Sequence, residues 1–319
     1  MSEEVLIIRH GALGDLVQSL GPIQAIREHH PGARITLLTS PAFQTFMDAC
    51  PWIDRVWIDA RPKWHQPRQG WDLVKCLRGG GFDRVYDLQT SSRSSLYRWI
   101  FALGRQPEWS GIAFGASHLH ANAGRNAMHT LDRQRDQLSF AGIETVPAPD
   151  LSWAVAEGHR FALPEDYALL VPGGSAHRLE KRWPASHYAD LADLLSACRI
   201  APVLIGGPDE AGLAREIAGQ AAGSVIDLTG RTDLFDLVGL AAGALAAVGN
   251  DTGPTHVAAV AGAPTVALFS DASDPVLCAP RGPAVASLRR TPLASLQPAE
   301  VFAAMAALLP GLAADGAMS

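Results

Sequence analysis

No apolar run in this sequence approaches the roughly 18 residues that a membrane-spanning helix requires, so an integral membrane protein is not expected. Cysteine is scarce, with four residues at 50, 76, 198 and 278. None forms a CxxC pair and no histidine spacing completes a zinc motif, which points to a reduced protein without a metal site. The opening residues MSEEVLIIRHG lack the cationic start and apolar stretch of a secretion signal, and a cytoplasmic location is expected. Several catalytic signatures are also absent. Without GxSxG, HExxH or GxxxxGK[ST], the usual serine-hydrolase, zinc-protease and P-loop readings fall away.

What is present is a compact globular composition. Of 319 residues, 48% are hydrophobic and 18% charged, with 30 glycines and 22 prolines. That length suits two domains of about 150 residues each. The net charge of −6 is unevenly spread. Residues 1–150 carry 16 basic against 15 acidic residues, whereas residues 151–319 carry 10 against 17. Between Arg61 and Arg105 nine basic residues meet only Asp72, Asp83 and Asp87, with Trp64, Trp71 and Trp99 among them. Such a segment is either an ordinary solvated face or a basic surface for an anionic partner. The acidity of the whole chain argues against nucleic acid.

Short apolar runs alternate with helical stripes along the chain. Residues 5–8, 35–38, 55–58 and 84–88 read as buried parallel strands, and Leu16, Leu20, Ile23 and Ile26 mark the first helical stripe. Residues 104–150 are less regular and end in Val146-Pro147-Ala148-Pro149, where a domain boundary is expected. The alternation restarts at 167–171 and continues through strands at 202–205, 225–228, 245–248 and 265–269, with a final helix over 298–309. The pattern predicts two doubly wound α/β domains, whose ligands bind beyond the carboxyl ends of the strands.

The loop after the predicted strand 245–248 reads Gly249-Asn250-Asp251-Thr252-Gly253-Pro254 and leads into a helix that stops at Gly262. Its free amides and helix dipole make either an anion site or a plain capped turn. Four further loops lie on the same edge. Their residues could hold a nucleotide: amides and Lys181 on phosphates, Glu210 on ribose hydroxyls, and 228–231, with Thr229, near the base. Lys181 taken singly also reads as a solvated lysine. His256 reads as structural or phosphate-adjacent. In the first half, Gly11-Ala12-Leu13-Gly14-Asp15 fails the GxGxxG spacing, and a carboxylate beside a pyrophosphate would repel it. Asp15 is either a helix cap or a general base kept ionised by the helix end.

These residues resemble glycosyltransferase family 9, the ADP-heptose:lipopolysaccharide heptosyltransferase family. The resemblance is carried by Leu13-Gly14-Asp15, by Pro172-Gly173-Gly174-Ser175 with Lys181-Arg182-Trp183-Pro184, by Gly206-Gly207-Pro208-Asp209-Glu210, and by Asn250-Asp251-Thr252-Gly253 with His256. It implies a GT-B fold, with an acceptor domain over 1–155 and a nucleotide-sugar domain over 156–297 facing a central cleft. The segment 298–319 would pack back on the first domain. The implied activity is inverting, metal-independent transfer of a heptose from an ADP-sugar to a lipopolysaccharide inner-core acceptor, with no cofactor. Asp15 would be the base. Ser175, Lys181, Thr252 and Gly253 would hold the diphosphate, Glu210 the ribose, and Thr229 and His256 would also serve the donor. Asp251 would face the sugar, and Arg61, Lys63 and Arg93 would meet the anionic glycolipid at the inner face of the membrane. A GT-B-like nucleotide-sugar epimerase and a non-catalytic nucleotide-sugar-binding protein are the alternatives.

Overall fold

The computed structural model describes residues 2–62, 67–102, 104–155, 160–174 and 179–309. The chain divides into two compact units, Met1–Trp153 and Ala154–Ser319. Each is built on one six-stranded, wholly parallel sheet.

The first unit contains β1 (Glu4–Ile8), β2 (Arg34–Thr39), β3 (Arg55–Ile58), β4 (Arg84–Asp87), β5 (Glu108–Gly111) and β6 (His118–Leu119). Their order across the sheet is β3-β2-β1-β4-β5-β6. β1 is central, and Val5, Leu6, Ile7 and Ile8 are all fully buried because helices cover both faces. Leu6 and Ile8 join Leu38, Leu77, Val85, Tyr97 and Phe101 in one core cluster, which places the helix Pro67–Gly79 and the turn Tyr97–Phe101 on that face. The irregular segment 104–150 contains β5, β6 and the helix Thr130–Ser139. That helix carries Leu131 and Leu138 into the interior and ties itself to the first helix, Gln134 Nε2 donating to Ser19 Oγ at 3.0 Å.

The second unit contains β7 (Tyr167–Val171), β8 (Ala201–Leu204), β9 (Ile226–Asp227), β10 (Ala246–Asn250), β11 (Thr265–Phe269) and β12 (Val285–Arg289). Their order is β12-β11-β10-β7-β8-β9, the same winding as in the first unit. β7 and β10 are therefore neighbours, and their carboxyl ends carry loops that meet although about 75 residues separate them in sequence. The last helix, Pro298–Ala307, packs on the sheet of its own unit, and residues 310–319 of the segment expected to reach the first domain lie outside the described residues. Its Val301 and Met305 are fully buried in the core of this second unit, beside Trp183, Leu191 and Leu296. Burying that stripe against the sheet it follows is the nearest way to remove it from water.

Candidate active site

In the second unit the site is built at the end of β10. Asn250 is fully buried and works as a brace. Its Oδ1 accepts the Trp183 amide at 3.0 Å, and its Nδ2 donates to the Pro172 and Gly173 carbonyls at 2.8 and 3.1 Å. One side chain thus fastens the loop after β7, the approach to the next helix, and the end of β10. Trp183, itself buried, donates its indole N–H to the Leu296 carbonyl. With these anchors Lys181 is brought to Asp251, its Nζ lying 2.7 Å from Oδ2. The two side chains are 15% and 11% exposed, so the pair is mostly buried and still meets solvent. His256 Nε2 stands 3.9 Å from the other carboxylate oxygen. Burial by itself would raise the Asp251 carboxyl. Hydrogen bonds from His256 and Lys181, together with the lysine charge, outweigh it and hold the group well below the usual carboxylate range.

The helix Gly253–Val260 starts here with Thr252 as its cap residue, and Pro254 sits in its first turn. The Asp251 amide is used by the Leu268 carbonyl. The Thr252 and Gly253 amides have no acceptor among the described residues, so they are open to an anion at the positive end of the helix. Glu210 occupies a second corner. Its Oε1 accepts the Gly174 amide at 2.9 Å and its Oε2 accepts the Gly207 amide at 2.8 Å. The fork requires glycine on both sides, since a β-carbon on Gly173 would lie 1.8 Å from Oε1 and one on Gly206 2.6 Å from Oε2. Beside it the Thr229 hydroxyl is buried without a partner among the described residues, while its amide donates to Asp227. Lys181, Glu210, Thr229, Asp251, Thr252, Gly253 and His256 thus all stand on loops or helix starts at the carboxyl edge of one sheet. Ser175 lies outside the described residues.

In the first unit Asp15 opens the helix Leu13–Gln18 and is 46% exposed. It is clamped by Arg9, which is buried after β1. Arg9 Nη2 reaches the Asp15 carboxylate and its backbone carbonyl, both at 3.0 Å, while Nη1 donates to Leu88 O at 2.8 Å. Burial lowers the pKa of Arg9 below the ordinary arginine value, and Asp15 and Asp87 pull the other way. Asp87, at the end of β4, is buried and its carboxyl is pushed up to about 6 by that burial.

A second cluster surrounds Asp59, which follows β3 and is fully buried at the side chain. His10 Nε2 lies 3.1 Å from its Oδ2, and Arg93 Nη2 lies 3.3 Å from its Oδ1. The Tyr97 hydroxyl and the Arg61 amide also donate to it, the latter at 2.7 Å. Burial alone would raise this carboxyl, but its donors hold it well below the usual range. Of the expected acceptor cations, Arg93 meets Asp59 with its guanidinium, Arg61 meets it through the backbone amide alone, and Lys63 lies outside the described residues. Arg9, His10, Asp59 and Tyr97 were not singled out from the sequence, and Asn250 was read there only as part of its motif, without a role. Asp59 had a readable signal, a single acid closing the apolar strand RVWI, and Tyr97 stands one helical turn after Arg93.

The family model described as glycosyltransferase family 9 (heptosyltransferase) matches residues 71–293. The lipopolysaccharide core heptosyltransferase OpsX of Haemophilus influenzae is 24% identical over 287 residues, spanning 84% of this chain and 79% of its own length. Among solved structures, a glycosyl transferase family 9 protein from Veillonella parvula superposes with a TM-score of 0.82 at 20% identity, covering 96% of this chain and 97% of its own. The E. coli ADP-heptose lps heptosyltransferase II does so with a TM-score of 0.79 at 22% identity, covering 96% and 98%. At these identities the structural likeness is one of fold.

Proposed function

The chain belongs to glycosyltransferase family 9 and is a glycosyltransferase, and from that premise we propose that it moves a heptose from an ADP-sugar to an anionic inner-core glycolipid with inversion at the anomeric carbon. The observation that carries the donor half is the Lys181–Asp251 pair beside the open Thr252 and Gly253 amides. The lysine and the two amides take the diphosphate, Glu210 and Thr229 take the nucleoside end, and Asp251 with His256 faces the sugar. The acceptor half uses Asp15 as base, with Arg61, Lys63 and Arg93 on acidic groups of the acceptor. Curated relatives named as heptosyltransferases favour this over the epimerase and binding-protein readings.

The chemistry is one displacement. The acceptor oxygen forms a bond to the anomeric carbon as the bond from that carbon to the diphosphate oxygen breaks, and ADP leaves. The hydroxyl proton passes to the Asp15 carboxylate, which Arg9 holds in place. A carboxylate is a weak base, suited to taking the proton late, when the new bond is largely formed. Charge developing on the departing diphosphate is met by a fixed ammonium and oriented amides, the arrangement that makes electrostatic stabilisation effective. In this reading those groups serve in place of a metal, and transfer is expected to persist in EDTA. Among the described residues no helix is long and apolar enough to cross a membrane, which accords with work at the cytoplasmic membrane face.

The test pairs nucleotide calorimetry with transfer. ADP is expected to bind well above UDP and GDP. Asp15→Asn should bind ADP as the parent does and lose transfer by about 10²-fold or more, in the range of a lost general base. A preference for UDP, or an Asp15→Asn variant with parental transfer, would overturn the assignment.

A further inference from the structure

The outer layer of the first unit has a composition that its own packing does not explain. The helix Pro67–Gly79 spends its apolar stripe, Leu73 and Leu77, on the core cluster. Trp71 is on the opposite stripe and 59% exposed. Arg68 and Lys75, three before and four after it, share that stripe and form no ion pair among the described residues. The neighbouring turn behaves likewise. Tyr97 and Phe101 point inward, whereas Leu96 and Trp99 are 62% and 59% exposed. Phe114 is 87% exposed, and Arg98 lies over its turn, donating to the Gly115 carbonyl. The helix and the turn pack on one core cluster, and so do Ala113 and Ala116 on either side of Phe114, so the exposed side chains stand on segments that cover the same sheet face. Arg93, of the acceptor cluster, lies on the same helix as Leu96.

Single exposed apolar residues are ordinary, but two half-exposed tryptophans with Leu96 and Phe114 on one layer are not. The interleaved cations select the partner. A second copy docked face to face would set three cations, Arg68, Lys75 and Arg98, with the single acid Asp72 against the same net positive set, which costs free energy. An anionic bilayer matches both features. Tryptophan seats at headgroup depth, and lysine and arginine gain from lipid phosphates.

We propose that residues 67–79, 96–99 and 114–115 form a docking surface for an anionic bilayer, with Trp71, Leu96, Trp99 and Phe114 entering the headgroup layer and Arg68, Lys75 and Arg98 on lipid phosphates. The proposal rests on the acceptor being a glycolipid. It adds where the enzyme meets the membrane that presents this lipid.

The full chain is sedimented with vesicles of phosphatidylethanolamine and phosphatidylglycerol, and separately with vesicles of phosphatidylcholine alone. Binding is expected to the first and not the second, and to weaken as salt rises. Each cation removed should weaken it roughly fivefold, so Arg68→Ala/Lys75→Ala loses about 25-fold. Trp71→Ser/Trp99→Ser should also reduce binding. Both variants should transfer to a lipid-free, water-soluble acceptor at the parental rate, which separates failure of this surface from failure of the proposed reaction. Parental vesicle binding by both variants would overturn the proposal. So would a solution dimer that Trp71→Ser/Trp99→Ser dissociates, since the face would then join two copies.

Discussion

Replacing Lys181 by methionine separates what this lysine does for the fold from what it does for the reaction. Lys181 Nζ lies 2.7 Å from Asp251 Oδ2 in a pair whose members are 15% and 11% exposed. Removing one partner of a fully buried pair costs about 3–5 kcal/mol because the other charge is stranded. Here Asp251 keeps some solvent and its His256 neighbour, so a loss of about 2 kcal/mol is expected. The catalytic loss is separate. A single preorganised donor aimed at developing negative charge is worth about 10²–10³ in rate. In Lys181→Met/Asp251→Asn no charge is stranded, and stability should return to within about 1 kcal/mol of the parent. Transfer should not return, because the cation that meets the diphosphate is still missing. Urea unfolding followed by circular dichroism reads the first quantity, and ADP release from ADP-heptose with acceptor present reads the second. Transfer in Lys181→Met within about threefold of the parent would refute the reasoning, as would recovery of rate in the double variant.

Three further outcomes follow from the same geometry. Asp87 titrates near 3.8 when unfolded and at about 6 in the folded chain, so between these values the native state holds the extra proton and stability falls as pH rises. Across that window the parent should lose up to ~3 kcal/mol relative to Asp87→Asn, and parallel urea melts from pH 4 to pH 6.5 would contradict this. Gly173→Ala would set a β-carbon 1.8 Å from the Glu210 carboxylate, and calorimetry should show ADP affinity falling by about tenfold or more while the fold survives. Asp59→Asn removes the charge that gathers His10, Arg93 and the Arg61 amide. Steady-state kinetics should show KM for the acceptor rising with KM for the donor unchanged, and a change confined to the donor would disprove the acceptor role.

Much of this protein is legible locally. Short apolar-rich runs marked β1 to β4 and β7 to β11, most clearly at β1, β7, β10 and β11, because a strand covered on both faces has no reason to alternate. Asn250-Asp251-Thr252-Gly253-Pro254 announced a helix start with free amides, since proline and the cap residue act within one turn. The strands that escaped, β5 with EWSG, β6 with two residues and β12 with VASLR, are too short or too interrupted by small and polar residues to make a continuous apolar run.

The sequence alone determined which strand-end loops and helix starts bear the candidate residues, because those signals are set by neighbours a few positions away. Tertiary structure decided who meets whom. Lys181 reaches Asp251 across 70 residues, and Glu210 reaches Gly174 across 36, only because β7 lies between β10 and β8 in the sheet. Arg93 reaches Asp59 across 34 because the segment after β4 packs on the same sheet face as the helix that follows β3. Side-chain periodicity reports burial along one element. It does not encode the order in which strands pair, and that order comes from sharing one core among all of them.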